Sequence, residues 1–366
     1  VSNRLEQLFS AEGQSPWLDN LQRSYLTSGK LAGLVSAGVR GLTTNPAIFQ
    51  KALQGSADYD SQFVSLMSAG ASIEDAYWTM VLQDIDGALD VFAPLYNSSH
   101  GGDGFVSVEV DPRLAHDSFG TIEAARTIHQ RVARPNVMIK IPATTEGVPA
   151  IRTMIREGRN VNVTLIFSLQ RYQEVLEAYV AGLEDRAADG NSVAGVASVA
   201  SFFVSRVDSE VDNQLGEMGS TVARELRGTA AINQARLAYE HFLSVTSSQR
   251  WKALSQSGAS VQRLLWASTS TKNPIYPDTM YVDQLIGPDT VNTLPDATLD
   301  AFADHGVVSR TVDKDMDQVH TQWSALSSLG IDMEKVSLQL ETDAVAGFVK
   351  SFDDLLGTLK DKAATL

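Results

Sequence analysis

Lys140 stands in the middle of a short apolar segment, Val137-Met-Ile-Lys-Ile-Pro-Ala-Thr144, bracketed by Pro135 and Gly147. Read as a strand, the segment alternates faces. Val137, Ile139 and Ile141 point one way, and Met138, Lys140 and Pro142 the other. An ammonium enclosed by such neighbours costs several kcal/mol unless it is paired or gives up its proton. Desolvation favours the neutral amine, a nucleophile toward carbonyl carbon. The plainer readings are a lysine snorkelling from an edge strand, or one half of a buried ion pair.

Polar residues also interrupt or close the other apolar runs. Asp19 ends one, and Thr43-Thr44-Asn45-Pro46 ends another. Ser107, Glu109 and Asp111 alternate with Val106, Val108 and Val110, while Asn162 and Thr164 alternate with Val161, Val163 and Leu165. Ser201 lies in a further run with Arg206 just beyond it, and Ser268-Thr-Ser-Thr-Lys272-Asn273 follows the next. That set suits Schiff-base aldol chemistry. A lysine attacks a ketone, the protonated imine withdraws electrons, and cleavage of the adjacent C–C bond leaves a bound enamine. One acid–base group must take the hydroxyl proton that triggers cleavage, and another must manage protons and water during carbinolamine formation. Asp19 and Glu109 can divide that labour. Asparagine and threonine would hold substrate hydroxyls, and Arg206 and Lys272 with the Ser/Thr run would hold a phosphate.

Each residue has a plainer reading. Asp19 could cap a helix over 20–26, and Thr43–Pro46 could simply turn the chain into one. Glu109 and Asp111 could be solvated on an edge strand, and Asn162 and Thr164 could form an inner polar layer that meets no ligand. Arg206 could pair with Asp208 or Glu210. Together, these readings poorly explain why acidic, amide and hydroxyl groups gather around one lysine.

The elements that must position these residues alternate. Apolar runs at 16–19, 39–44, 104–110, 136–142, 160–167, 196–203, 263–268 and 290–294 read as strands. Helical periodicity fills 122–132, 170–183, 205–214 and 235–254, with Ser168 and Asp296 as capping residues. Eight such units predict an α/β fold, a single (β/α)8 barrel over residues 1–366 with a helical insertion at about 46–102 between strands 2 and 3. Within that insertion 59–67 and 73–92 read as helices, and 97–104 as a loop. Barrels of this kind carry their active sites at the C-terminal strand ends, where the polar residues fall.

Composition narrows the function classes. The chain has 366 residues, is 43% hydrophobic and carries a net charge of -15, which argues against nucleic acid or an anionic membrane surface as partner. An anionic substrate must then be held by local cations. Cys is absent, which removes disulfides, thiolate metal sites and thiol nucleophiles. The six His are scattered without metal-ligand spacing, so no metal is expected. The N-terminus lacks a signal-peptide core and no apolar run reaches about 18 residues, making the cytoplasm the expected location.

Five segments, Gly41-Leu-Thr-Thr-Asn-Pro46, Ser107-Val-Glu-Val-Asp111, Ile139-Lys-Ile-Pro-Ala-Thr144, Asn162-Val-Thr-Leu-Ile-Phe-Ser168 and Ser201-Phe-Phe-Val-Ser-Arg206, resemble in sequence and order the signature segments of the transaldolase family. The length resembles that of its longer bacterial branch. The resemblance implies that Lys140 forms the Schiff base and that Asp19 is the acid–base group at the bond-cleaving hydroxyl. It implies that Glu109 assists dehydration and hydrolysis through a water, with Thr164 and Thr43 shaping the site. It further implies that Asn45 and Asn162 bind the dihydroxyacetone hydroxyls, that Ser201 contacts substrate, and that Arg206 holds the sugar phosphate. Phe203 and Glu109 fall where related fructose 6-phosphate aldolases carry tyrosine and glutamine. One departure stands out: a second phosphate-binding arginine is absent after strand seven, leaving Ser268 and Lys272 for its role. The implied reaction moves a dihydroxyacetone unit from sedoheptulose 7-phosphate to glyceraldehyde 3-phosphate in the pentose phosphate pathway. Erythrose 4-phosphate and fructose 6-phosphate are its products. It needs no cofactor and is carried out by a monomer or homodimer. The competing readings are an aldolase releasing free dihydroxyacetone, a barrel that binds sugar phosphate without turnover and, more distantly, a divalent-metal enzyme.

Overall fold

The computed structural model describes residues 3–365. Eight strands form a closed barrel in sequence order, each parallel to its neighbours: β1 (Gln14–Leu18), β2 (Gly41–Thr43), β3 (Phe105–Glu109), β4 (Val137–Pro142), β5 (Val161–Ile166), β6 (Ser198–Phe203), β7 (Gln262–Ala267) and β8 (Thr290–Leu294). All eight lie where the apolar runs place them. Helices cover the outside, so both faces of every strand are shielded, which is why the strands read as apolar runs rather than strict alternation. On β4 the outward Val137, Ile139 and Ile141 are fully buried. At roughly 1.5–3 kcal/mol for each such side chain, they offset the cost of enclosing Lys140 on the inward face.

The helices depart from expectation in three places. The stretch read as one helix over 235–254 is two, Ala230–Thr246 and Gln249–Gln256, because Ser248 turns extended and its hydroxyl accepts from Trp251 N–H as a new cap. Asp296 is the first residue of its helix rather than the cap, and its carboxylate accepts instead from Asn20, Tyr25 and Lys30. The helix expected to stop at residue 92 runs from Ile73 to Ser98 with Pro94 inside it, which shortens the expected loop. Between β2 and β3 the chain forms the helices Pro46–Gly55, Asp60–Ser68 and Ile73–Ser98. The last of these packs on β3 as an ordinary crossover helix does. The Pro46–Gly55 helix packs instead along the final helix, Met333–Ala363.

The N-terminal end of the barrel is closed by a buried charged cluster. One Asp103 oxygen accepts from Ser15 Oγ and Arg40 Nε, both at 2.7 Å. The other accepts from Trp17 Nε1 at 3.3 Å and Arg263 Nη2 at 3.1 Å. Arg263 also donates to Ser15 Oγ at 2.9 Å. The Trp17 ring lies so close to β2 that a Cβ at residue 41 would come within 2.4 Å of it, so Gly41 is required for packing.

Candidate active site

At the opposite end the strands open into a cavity of about 390 Å³. The barrel register sets what surrounds Lys140, which lines it, while Glu109 faces a smaller pocket behind with Thr44 and Tyr77. Glu109 on β3 pairs with Lys140 on β4, and Lys140 with Asn162 on β5, so three inward polar side chains sit side by side. Lys140 is 5% exposed, and its Nζ donates to Thr44 O at 2.8 Å and lies 3.3 Å from Glu109 Oε2. The amine is therefore neither snorkelling nor alone. Both buried Glu109 carboxylate oxygens still lack a hydrogen bond, and so does Thr164 Oγ1, a cavity-lining hydroxyl. Orphaned buried polar atoms are rare and call for an explanation; groups reserved for a reaction partner supply one.

Burial raises the Glu109 pKa above the ordinary carboxylate range, opposed by the charge of Lys140. Asp19 is raised for the same first reason, opposed by Lys140 and by the Thr43 hydrogen bond. Asp19 is no helix cap: the next helix begins at Arg23, behind Gln22. Thr43 Oγ1 donates to Asp19 Oδ1 at 2.7 Å, which leaves it to accept from Thr293 Oγ1 at 2.6 Å. This hydroxyl relay fixes the carboxylate on the cavity wall.

Asn45 serves two ends at once. Its Oδ1 caps the Pro46–Gly55 helix by accepting from Ile48 N–H, and its side chain lines the cavity. Asn162 is fully buried, donating to Ser107 Oγ at 3.0 Å and accepting from Ser201 Oγ at 2.7 Å, so it lies in the polar layer behind the wall to which Ser201 belongs. Asp111 lies outside the cavity set, paired with Arg113. On β5 the register slips between Val163 and Ile166, and Leu165 adopts φ 61°. Such a bulge beside a site redirects the strand end that carries Thr164.

Arg206 opens the Ser205–Met218 helix and lines the cavity with its guanidinium 5.6 Å from the Phe203 ring centre. Among the described residues it makes no ion pair or hydrogen bond. Asp208 is taken by Tyr281 and Ala231 N–H, and Glu210 by Gln214. Burial lowers the Arg206 pKa, an unpaid cost that a bound anion would relieve. Lys272 faces the same cavity and donates to Ser270 Oγ at 2.7 Å. Partial burial and then the Arg206 charge hold its pKa below the lysine value. Ser268, at φ 56°, shares a 3.0 Å hydroxyl contact with Ser205 and ties the strand ends of β6 and β7 together.

Among the cavity residues that the sequence reading did not single out are Lys51, Thr293 and Phe348. Thr293 sits on β8 in an alternating run and was open to recognition. Lys51 and Phe348 come from the Pro46–Gly55 and Met333–Ala363 helices, whose docking no local pattern announces. Among the described residues no group of three His, Asp or Glu side chains is gathered as metal ligands would be, and no helix is long and apolar enough to cross a membrane.

Comparison with known proteins places the chain in a family. The family model for transaldolase/fructose-6-phosphate aldolase matches residues 16–359. The chain is 50% identical over 360 residues to "Transaldolase 1" of Streptomyces avermitilis, covering 97% of this chain and 95% of that one. It is 49% identical over 364 residues to the transaldolase of Saccharopolyspora erythraea, covering 99% and 98%. To the transaldolase of Thermobifida fusca it is 48% identical over 366 residues, covering 100% and 99%. With its barrel, its buried lysine and a match along nearly its whole length, the chain belongs to the transaldolase/fructose-6-phosphate aldolase family.

Proposed function

We propose that this chain is a transaldolase that carries a dihydroxyacetone unit on Lys140, taking it from a ketose phosphate and passing it to an aldose phosphate. The observation that carries the reading is the Lys140 amine, which lines a cavity together with Asp19 and an arginine free of ion pairs, and which has the Glu109 carboxylate 3.3 Å behind it. The Lys140 amine, freed of its proton by Glu109, adds to the donor carbonyl to give a carbinolamine. Glu109, returning the proton, and Thr164 assist loss of water to the protonated imine. Asp19 then removes the proton of the hydroxyl beside the scissile bond, so that the C–C bond breaks, an aldose phosphate leaves and an enamine stays on Lys140. The acceptor aldehyde adds to that enamine, Asp19 returns the proton, and hydrolysis through Glu109 frees the product and the amine. Asn45, Asn162, Ser201 and Thr43 orient the three-carbon unit. Arg206, with Lys272 and Ser268, holds the phosphate, and Phe203 stacks beside the guanidinium.

The substrates of this reading are sedoheptulose 7-phosphate with glyceraldehyde 3-phosphate, and in reverse fructose 6-phosphate with erythrose 4-phosphate. A single catalytic domain across residues 1–366, of which 1, 2 and 366 lie outside the described residues, a cytoplasmic location and a monomer or homodimer complete the proposal. Transfer is separated from simple aldol cleavage by one assay. With fructose 6-phosphate and erythrose 4-phosphate the protein should form sedoheptulose 7-phosphate, and without the acceptor little free dihydroxyacetone should appear. Steady release of dihydroxyacetone without an acceptor would replace transfer by aldolase activity.

A further inference from the structure

Arg206 and Lys272 face one cavity from different elements, so no shared backbone fixes their separation. Arg206 opens the Ser205–Met218 helix, while Lys272 stands on the exposed loop that follows β7. Two tyrosines of the chain beyond Lys272 return to that same helix. Tyr276 Oη donates to Asp212 Oδ2 at 2.5 Å, and Tyr281 Oη donates to Asp208 Oδ2 at 2.8 Å. Both aspartates are buried, and they stand one helical turn apart. Each spends its other oxygen on backbone N–H: Asp212 on Gly228 at 2.9 Å, and Asp208 on Ala231 at 2.7 Å. Gly228 has φ 73°, and a Cβ there would come within 2.9 Å of the Tyr276 ring, so a glycine lets that ring close down.

We propose that the Tyr276–Asp212 and Tyr281–Asp208 pairs are positioning residues for the phosphate end of the substrate: they latch the β7 loop to the helix that carries Arg206 and so set the spacing of Lys272 and Arg206. This rests on the transaldolase reading above and adds to it the residues that tune the enzyme for phosphorylated donors. The pairs have a second effect. Asp208 is two residues from Arg206, and an ion pair between them would compete with phosphate. Tyrosine and backbone donors occupy the carboxylate instead, and among the described residues the guanidinium has no ion pair or hydrogen bond. Neither tyrosine touches the amine or the catalytic carboxylates, so the effect should fall on phosphate recognition and not on the chemistry.

Tyr276→Phe removes one hydroxyl and keeps the ring, and its test is a comparison of donors. The KM for fructose 6-phosphate should rise about tenfold, the scale of one charge-assisted contact, with kcat little changed. The KM for unphosphorylated fructose as donor should stay at the wild-type value. In a Lys272→Ala background the same substitution should add almost nothing, because the latch acts through Lys272. An unchanged fructose 6-phosphate KM, an equal rise for both donors, or full additivity with Lys272→Ala would each overturn the latch while leaving transaldolase activity standing. A wild-type protein that transfers nothing from fructose 6-phosphate would overturn the underlying reading instead.

Discussion

The two ends of the barrel each bury a carboxylate next to cations, and they treat it in opposite ways. At the N-terminal end Asp103 is 1% exposed and accepts from Ser15, Trp17, Arg40 and Arg263, so each oxygen has two donors. At the C-terminal end Glu109 is 5% exposed and has Lys140 at 3.3 Å, yet neither oxygen has a hydrogen bond. The same contrast separates the arginines: Arg263 is doubly engaged, whereas the Arg206 guanidinium, beside the Phe203 ring, has no ion pair or hydrogen bond among the described residues. A satisfied buried charge fastens strands together. An unsatisfied one costs stability, and a fold keeps it where a substrate will complete it.

Substitution at the two ends should separate stability from activity. Lys140→Met should lower transfer by roughly 10⁴-fold or more, as losing a covalent nucleophile does. Its unfolding midpoint in urea should stay near wild type, because a carboxyl whose pKa burial already raises can take a proton when its partner goes. Asp103→Ala should do the reverse. Leaving the partly buried Arg40 and Arg263 without their carboxylate should cost up to about 3–5 kcal/mol of stability, while the folded fraction keeps its specific activity. If Asp103→Ala abolished turnover in a protein of normal stability, the division between the two ends would be wrong.

A smaller effect distinguishes the two carboxylates proposed as acid–base groups. Asp19→Ala should still form the imine with a ketose phosphate but fail to cleave it, so the adduct accumulates; Glu109→Gln should slow formation of the adduct itself. Each loss should be about 10²–10⁴-fold. Both carboxylates are raised by burial. A group that must be ionised to accept a proton loses that form at higher pH when its pKa is raised, so the acid limb of kcat/KM should lie above the range of an ordinary carboxylate. Two variants blocked at the same step would refute the assignment.

The smallest effect belongs to the phosphate. Arg206→Ala should weaken phosphorylated donors by about 10–100-fold, the value of one or two charge-assisted bonds, and leave unphosphorylated fructose nearly untouched. Lys272→Ala should show the same preference with a lesser loss, since an ammonium offers a point charge and no planar fork. Equal losses on both donors would make Arg206 a packing residue like Arg236, whose guanidinium is spent on the carbonyls of Gln284 and Lys314.

How much of this was legible follows from where each residue sits. The eight strands were open to reading because a doubly covered strand is an apolar run, and Lys140, Glu109, Asn162 and Thr164 show as polar interruptions of such runs. Asp103 was hidden by its setting: Gly-Gly-Asp-Gly reads as a loop, and only barrel closure brings it to Arg40 and Arg263. Lys51 and Phe348 were hidden by docking, since two helices far apart in the chain meet over the cavity mouth. The bulge at Leu165 left no trace, because leucine rarely adopts positive φ and no glycine marks the place. Nor does sequence show which acids an arginine is denied. Asp208 and Glu210 stand near Arg206 in the chain; tertiary partners occupy Asp208, and Gln214, one turn along the same helix, occupies Glu210.

The central claim is that Lys140 is the nucleophile. Borohydride added in the presence of fructose 6-phosphate, followed by peptide mapping, tests it directly. The account predicts inactivation with one reduced three-carbon adduct on the peptide carrying Lys140, and none when the sugar is omitted. An adduct on a different lysine, or full activity in Lys140→Met, would contradict it.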